Sequence, residues 1–273
     1  MRRDYPDDLK DKEWEEIKHI FSIRYERGGR PCKYSKRELL NAIFYVCRTG
    51  CQWRHLPHDF PNWKTVFNYF SKWKLEGKFE EMNSFLRKKR RISLGREENQ
   101  SAAIVDSQSV KTTDRGGLKG YDGGKKVKGR KGHILVDTQG FLVQASVTSA
   151  DFGDREGVLR LIFRAEKLLE RTKLIWADMG YQGGKAKNWI SQFGIKLEIV
   201  RRPLRGMWVH KDTDISSLKF EEGFKILPKR WIVERTFAWM SKYRRLSKDY
   251  EYFPSTAESM MYISMSRLML RRT

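Results

Sequence analysis

Two short apolar runs, each closed by an aspartate, restrict the fold of this chain more than any other feature. Ala102-Ala-Ile-Val-Asp106 and Leu174-Ile-Trp-Ala-Asp178 share one form, four apolar residues followed by a carboxylate. Runs this short read as strands buried on both faces, the kind found inside a mixed or parallel sheet. Between them, Gly132 to Asp137 and Phe141 to Thr148 read as two strands joined by the hairpin turn Thr138-Gln139-Gly140. Val158, Leu161, Ile162, Ala165, Leu168 and Leu169 then recur at i, i+3, i+4, i+7, i+10 and i+11, an amphipathic helix begun near Asp154. A short helix at Gly184 to Phe193, a strand at Leu197 to Val200, an irregular basic segment and a long helix from about Lys229 to Leu246 follow. The order is β-β-β-α-β-α-β-α.

That order places the carboxylates. Hairpins reverse the chain, so the first and third strands point one way and the second points the other. A right-handed crossover through the helix at Asp154 returns the fourth strand parallel to the first. Asp106 and Asp178 are therefore expected on the same edge of the sheet and Asp137 on the opposite edge. Open α/β sheets place their sites at the carboxy ends of parallel strands. On the last helix, Val233, Phe237 and Met240 form a packing face at i, i+4 and i+7. Glu234 sits at its border, ~100° from Val233 and ~60° from Phe237. Two aspartates and a glutamate converging from three elements make an oxygen-only site suited to Mg²⁺, with Mn²⁺ as substitute. Taken singly, a strand-end Asp serves equally as a cap, and Glu234 as an ion-pair partner for Arg230 or Arg235. Asp151 and Asp154 are expected to cap the helix that follows them.

Charge decides the partner. The 273 residues carry 56 Lys and Arg against 34 Asp and Glu, a formal +22, which points to a polyanion such as nucleic acid. A composition 39% hydrophobic and 13% aromatic supplies a packed core, which excludes a disordered basic tail. The excess begins late: residues 1–16 hold four basic and seven acidic side chains, whereas residues 27–91 hold sixteen and five. Trp14, Ile17, Ile20 and Phe21 mark a first helix, and Ser35 with Glu38 opens a second through Leu39, Leu40, Ile43, Phe44 and Cys47 to Gly50. Val66, Phe67, Phe70 and Trp73 mark a third from about Asn62 to Leu75. Residues 1–90 thus read as a small all-helical DNA-binding domain. Residues 91–101, after the basic run Arg87–Arg91, read as a linker, and 102–273 as the catalytic domain. The start lacks a signal-peptide stretch and no window is apolar enough to span a bilayer, so a soluble, cytoplasmic protein is expected.

Motifs in order along the chain carry a family resemblance. Tyr5-Pro-Asp-Asp-Leu-Lys-Asp-Lys-Glu-Trp14, Gly29-Arg-Pro31 and Asn41 to Pro57 resemble transposases of the insertion sequence 5 family. So do Ile104-Val-Asp-Ser-Gln-Ser-Val-Lys-Thr112, Gly120 to Asp137, Asp178-Met-Gly-Tyr-Gln-Gly183, Trp231 to Met240, Tyr243-Arg-Arg-Leu246 and Asp249-Tyr-Glu251. The resemblance implies a ribonuclease H-like mixed sheet flanked by helices and a DDE triad, which the matching motifs set on Asp106, Asp178 and Glu234. It implies an insertion-sequence transposase that binds terminal inverted repeats and, with a divalent metal, hydrolyses phosphodiesters and joins the freed 3′ ends to target DNA. In the related signature Tyr-x2-Arg-x3-Glu-x6-Lys this chain keeps Arg230 and Glu234, with Leu227 in place of Tyr and Ser241 in place of Lys. The alternative reading is a catalytically inactive, element-derived DNA-binding protein, a repressor or host factor.

Candidate DNA contacts follow the basic residues. The connection Ser107 to Lys131 leaves the catalytic edge with eight Lys or Arg and six Gly, and is expected to stay disordered until DNA arrives. Its Lys119, Lys125, Lys126, Lys128, Arg130 and Lys131 suit phosphates. Arg201, Arg202 and Arg205 form a second basic segment, and Arg230 and Arg235 flank Glu234. The helix pair 35–49 and 62–75 reads as a helix-turn-helix variant, with Lys64 and Lys72 toward double-stranded DNA. Phe67, Phe70 and Trp73 are assigned to the core. Cys47, Cys51, His55 and His58 have a zinc-like spacing, but the helix end and aromatic neighbours suit buried thiols better, and no zinc is expected. Joining two DNAs implies a homodimer or higher multimer.

Overall fold

The structure, a computed structural model, describes residues 2–22, 33–200 and 229–272. Six strands form one mixed sheet: β1 (Ala102–Lys111), β2 (Gly120–Asp122), β3 (Val127–Asp137), β4 (Leu142–Ser149), β5 (Leu174–Ala177) and β6 (Lys196–Ile199). β3 runs antiparallel between β1 and β4, and β2 pairs with its first residues. β5 lies parallel on the other side of β1, and β6 parallel to β5. The helices α5 (Asp154–Ala165) and α6 (Gly184–Ser191) make the two returns that parallel pairing requires. This is the expected ribonuclease H-like mixed sheet flanked by helices, preceded by helices.

Alternation along the strands sorts side chains onto two faces. Ala103, Val105, Leu135, Val143, Ile175 and Leu197 pack with Val158, Leu161 and Ile162 of α5 and Ile190 of α6. Ile104, Ile134, Val136, Leu142 and Ala145 face the other way, into a larger core. That core takes in α1 (Asp11–Ile17), α2 (Lys36–Thr49), α3 (Trp63–Leu75), α4 (Lys78–Ser93), α7 (Arg230–Ser241) and α8 (Pro254–Leu270). The N-terminal helices and one face of the sheet therefore share a continuous apolar interior.

Several elements differ from the sequence expectation. α8 has no apolar stripe to reveal it: from Thr256 to Leu270 it is buried nearly all round, and Pro254 opens its first turn. It also closes the exposed edge of β4. Ala145 N–H donates to Tyr262 Oη at 2.9 Å and Val147 N–H to Glu258 Oε1 at 2.8 Å. Glu258 is held in turn by both terminal nitrogens of Arg164, each at 2.9 Å. Strand edges left with free N–H groups invite foreign pairing, and α8 removes that hazard.

The basic run Arg87–Arg91 lies inside α4 instead of opening a linker. Arg87 is fully buried and donates to Gln100 Oε1 at 2.7 Å, and Arg91 reaches Asp137 at 2.9 Å. Nor is the connection from Ser107 to Lys131 without structure of its own. β1 runs on to Lys111 and β3 begins at Val127, so Ser107↔His133 through Lys111↔Gly129 pair as a ladder. The helix expected to run to Leu246 ends at Ser241, and a 3₁₀ turn takes up Arg244–Leu246. No helix among the described residues is long and apolar enough to cross a membrane.

Candidate active site

Strand register brings the two aspartates together. β1 and β5 pair as Ala102↔Leu174, Ala103↔Ile175 and Ile104↔Trp176. Carried two residues further, the same offset sets Asp106 opposite Asp178, on strands ~4.8 Å apart. Being two residues past Ile104 and Trp176, both point to the sheet face on which α7 packs. Asp106, Asp178, Val200, Arg230 and Val233 line one small cleft there. Asp106 Oδ1 accepts from Ser107 N–H at 2.7 Å, and Asp178 Oδ1 accepts from Gly180 N–H at 2.9 Å, capping a 3₁₀ turn.

The electrostatics are unbalanced toward negative charge. Burial pushes the Asp106 carboxyl up to about 6, with a further rise from Asp178, against the opposing pull of Ser107 N–H, Arg230 and Lys125. Glu234 does not reach the pair directly. Its side chain is 58% exposed, and Arg230 stands between, with Nε 3.2 Å from Glu234 Oε1 and a terminal nitrogen 3.7 Å from Asp178 Oδ2. The i,i+4 ion pair that helix spacing allows is thus formed. Val233 and Met240 are buried as the stripe requires, with Phe237 half-buried beside them. Among the described residues no three His, Cys, Asp or Glu side chains stand close enough to hold a metal ion.

A second wall of the site holds Asp154, which the sequence reading placed on the same edge but took for a helix cap, and Tyr181, which it did not single out. Asp154 is the first residue of α5, not its cap, which is Gly153. Its Oδ1 accepts from Ser107 Oγ at 2.7 Å and lies 3.3 Å from Lys131 Nζ. Tyr181 is buried within the field of Asp106, Asp154 and Asp178, which adds to burial in raising its hydroxyl well above the ordinary tyrosine range. The Asp178-Met-Gly-Tyr181 spacing was the only signal that could have found it.

The candidate DNA contacts divide by burial. Lys119, Lys125, Lys126 and Lys128 are exposed along β2 and its flanks, as are Lys64 and Lys72 on α3. Arg130 and Lys131 are not available to phosphates. Arg130 is fully buried and donates to Asp249 Oδ2 at 3.0 Å and to the carbonyls of Leu118, Glu251 and Tyr252. Lys131 is buried between Asp122 and Asp154 and donates to Phe152 O at 2.9 Å. A count of basic residues cannot separate such internal partners from surface ones. Arg235 donates to Gln139 O at 2.7 Å and lies over the rings of Trp231 and Trp239. Cys47 is buried, its Sγ 3.7 Å from Met260 O, while His55 and His58 are exposed. Phe70 and Trp73 are core residues, but Phe67 is 39% exposed. Gly29, Pro31, Cys32, Arg201, Arg202, Arg205 and Leu227 lie outside the described residues.

Known proteins resemble the chain in several of its parts. A family model described as "Transposase DDE domain" matches residues 97–269, and one described as "Putative transposase of IS4/5 family" matches residues 9–83. The chain is 28% identical over 130 residues to a "Putative transposase for insertion sequence element IS402" of Burkholderia cepacia, covering 45% of this chain and 54% of that one. It is 30% identical over 80 residues to the uncharacterized protein y4sN of Sinorhizobium fredii, covering 29% and 63%. It thus spans between about half and under two thirds of these curated relatives. Among solved structures, the piggyBac transposase synaptic complex with hairpin DNA aligns at 11% identity with a TM-score of 0.41, over 97% of this chain and 73% of that one. With the "Transposase DDE domain" model covering residues 97–269, more than half of its length, the chain belongs to the DDE transposases.

Proposed function

We propose that the protein is a DNA transposase that binds the terminal inverted repeats of an insertion sequence, cleaves phosphodiesters at its ends and joins them to target DNA. The observation that carries this reading is that Asp106 of β1 and Asp178, just past the end of the parallel neighbour β5, line one cleft with Arg230 and Val233 of α7, within a chain of that family. The oxygens of two neighbouring carboxylates suit a hard divalent ion. Asp106, Asp178 and Glu234 are the residues that would hold Mg²⁺, or Mn²⁺ in its place. A bound pair of such ions supplies an activated oxygen nucleophile and charge stabilisation at the leaving oxygen.

The remaining residues bind and orient. Arg230 balances the carboxylate charge in the free protein and is placed to meet a phosphate when DNA enters. Asp154 holds both Ser107 and Lys131 and keeps β1 and α5 in fixed relation beside Asp106. Exposed Lys119, Lys125, Lys126 and Lys128 supply phosphate contacts next to the site, and Lys64 and Lys72 supply them from the helical region of residues 1–90. Arg201, Arg202 and Arg205 add charge to the segment before α7. Pairing of two ends calls for a homodimer or higher multimer, acting on the chromosome of a bacterial-type cell.

The test is an end-cleavage assay with duplexes carrying the element's terminal repeats, in Mg²⁺ and in chelator, comparing wild type with Asp106→Asn. Metal-dependent nicks at the repeat boundary and joined products, both absent in the variant, support the reading. Tight, salt-sensitive binding without cleavage in Mg²⁺ or Mn²⁺ would favour an inactive DNA-binding protein instead.

A further inference from the structure

A cleft of about 770 Å³ opens away from the carboxylates, where the helical region meets the far end of β1. Its lining has an unusual chemistry. Trp53, Trp63, Phe67 and Tyr250 present aromatic surface, and Arg54, Arg115 and Arg245 are its charged residues, with no carboxylate among the described residues that line it. The rings are fixed in place: Phe67 meets Trp53 edge-on at 5.4 Å, and Trp53 rests on Phe70 at 5.1 Å. Arg245 is buried in the floor, held by Glu251 Oε1 at 2.6 Å and Cys51 O at 3.1 Å, so its position is set before any ligand arrives. Arg54 and Arg115 are exposed, and the Arg54 guanidinium lies 5.4 Å from the Trp63 ring.

Fixed aromatic faces beside cations, without acids, match a nucleotide better than a peptide. A base offers a π-face to the rings, and its phosphate offers the charge that the arginines lack. A cleft that sequestered Phe67 only for packing would not leave that ring 39% exposed beside two arginines. The position suits the same substrate as the carboxylates. Thr113 of the cleft lies seven residues beyond Asp106, two beyond the end of β1, which is at most about 23 Å of extended chain. At ~3.4 Å per base step, that is within about seven steps of a phosphate held at Asp106.

We propose that this cleft binds an unstacked nucleotide of the DNA being processed, its base against Trp63 and Phe67 and its phosphate on Arg54 or Arg115. The proposal rests on the reading of the protein as a DNA transposase. It gives Phe67 a ligand-facing role where the sequence assigned it to the core, and it gives the Gln52-Trp-Arg54 segment a function that the carboxylate site does not use.

Fluorescence anisotropy with the full chain tests it, using a labelled single strand of twelve thymidines, an abasic strand of equal length and charge, and a random duplex. Wild type should bind the thymidine strand at least tenfold more tightly than the abasic strand, with quenching of tryptophan fluorescence. In Phe67→Ala and Trp63→Ala that preference should fall below about threefold, while duplex binding is kept. Because Trp63 is half-buried, the exposed Phe67 is the decisive position, and a circular dichroism melt checks both variants. Equal affinity for thymidine and abasic strands in wild type, or a preference unchanged in Phe67→Ala, would overturn the cleft proposal while leaving the transposase reading intact. Failure to bind any of the three DNAs would overturn both.

Discussion

Asp137 and Asp106 lie on neighbouring strands of one sheet, three registers apart: Asp137 stands opposite Ala103 at the end of β3, and Asp106 opposite Ile134 inside β1. Asp137 is fully buried, paired with Arg91 at 2.9 Å, and its Oδ1 accepts from Gln139 and Phe141 N–H at 2.8 and 2.9 Å. Asp106 accepts one N–H, feels the charge of Asp178 and, among the described residues, has no basic side chain at ion-pair distance. At Asp137 the protein has supplied every partner that a buried charge needs. Around Asp106 it has gathered carboxylates whose ion-pair partner among the described residues is Arg230, which Asp178 and Glu234 share. That contrast separates an aspartate that builds the hairpin from one placed for chemistry.

Substitution should affect the two aspartates in opposite ways. The largest effect expected is loss of end cleavage by roughly 10³-fold or more in Asp106→Asn or Asp178→Asn, the scale of removing a metal ligand. Single-turnover cleavage in Mg²⁺ reads it, with an unchanged fold by circular dichroism. Arg91→Ala should instead leave Asp137 buried and unpaired, costing about 3 kcal/mol of stability in a urea titration. In that variant, cleavage below the melting range should stay near wild type. If Arg91→Ala abolished cleavage without lowering stability, the two aspartates would not be functionally distinct.

A smaller effect sharpens the comparison through pH. The folded state holds the Asp106 carboxyl near 6, above its unfolded value, so folding favours the protonated form. The stability this gives is complete below about pH 4 and is lost as pH rises through 6. Asp106→Asn should therefore raise stability at pH 8 by on the order of 2 kcal/mol, and change it little at pH 4. Thermal melts at the two pH values measure the difference. The smallest effect concerns surface charge. Replacing Lys119, Lys126 and Lys128 together by Ala should lower the salt dependence of duplex binding by about 2–3 in log–log slope. Conversion of the buried Arg130 should unfold the β1–β3 end before it alters that slope.

How much of this was legible in the sequence depends on what each residue's environment could imprint there. The strands that carry Asp106 and Asp178 were legible because a sheet covered on both faces demands uninterrupted apolar runs. Their common edge followed from connection rules alone. α8 was not legible, because a helix buried nearly all round carries no 3.6-residue stripe, and its Ser and Met residues give no capping signal beyond Pro254. α4 was hidden by its basic run, of which Arg87 and Arg91 turned inward to partners at Gln100 and Asp137. Arg130 and Lys131 misled for the same reason, since charge read along a chain does not say whether it meets phosphate or an internal carboxylate. The Arg230–Glu234 pair was foreseeable from helix spacing, but Arg230 as the link between Glu234 and Asp178 required the fold.

Mn²⁺ binding, followed by electron paramagnetic resonance in the absence of DNA, tests the central contrast most directly. The account predicts binding by wild type and by Asp137→Asn, and its loss in Asp106→Asn and Asp178→Asn. Binding that survives in Asp106→Asn and Asp178→Asn, or that disappears in a folded Asp137→Asn, would contradict it.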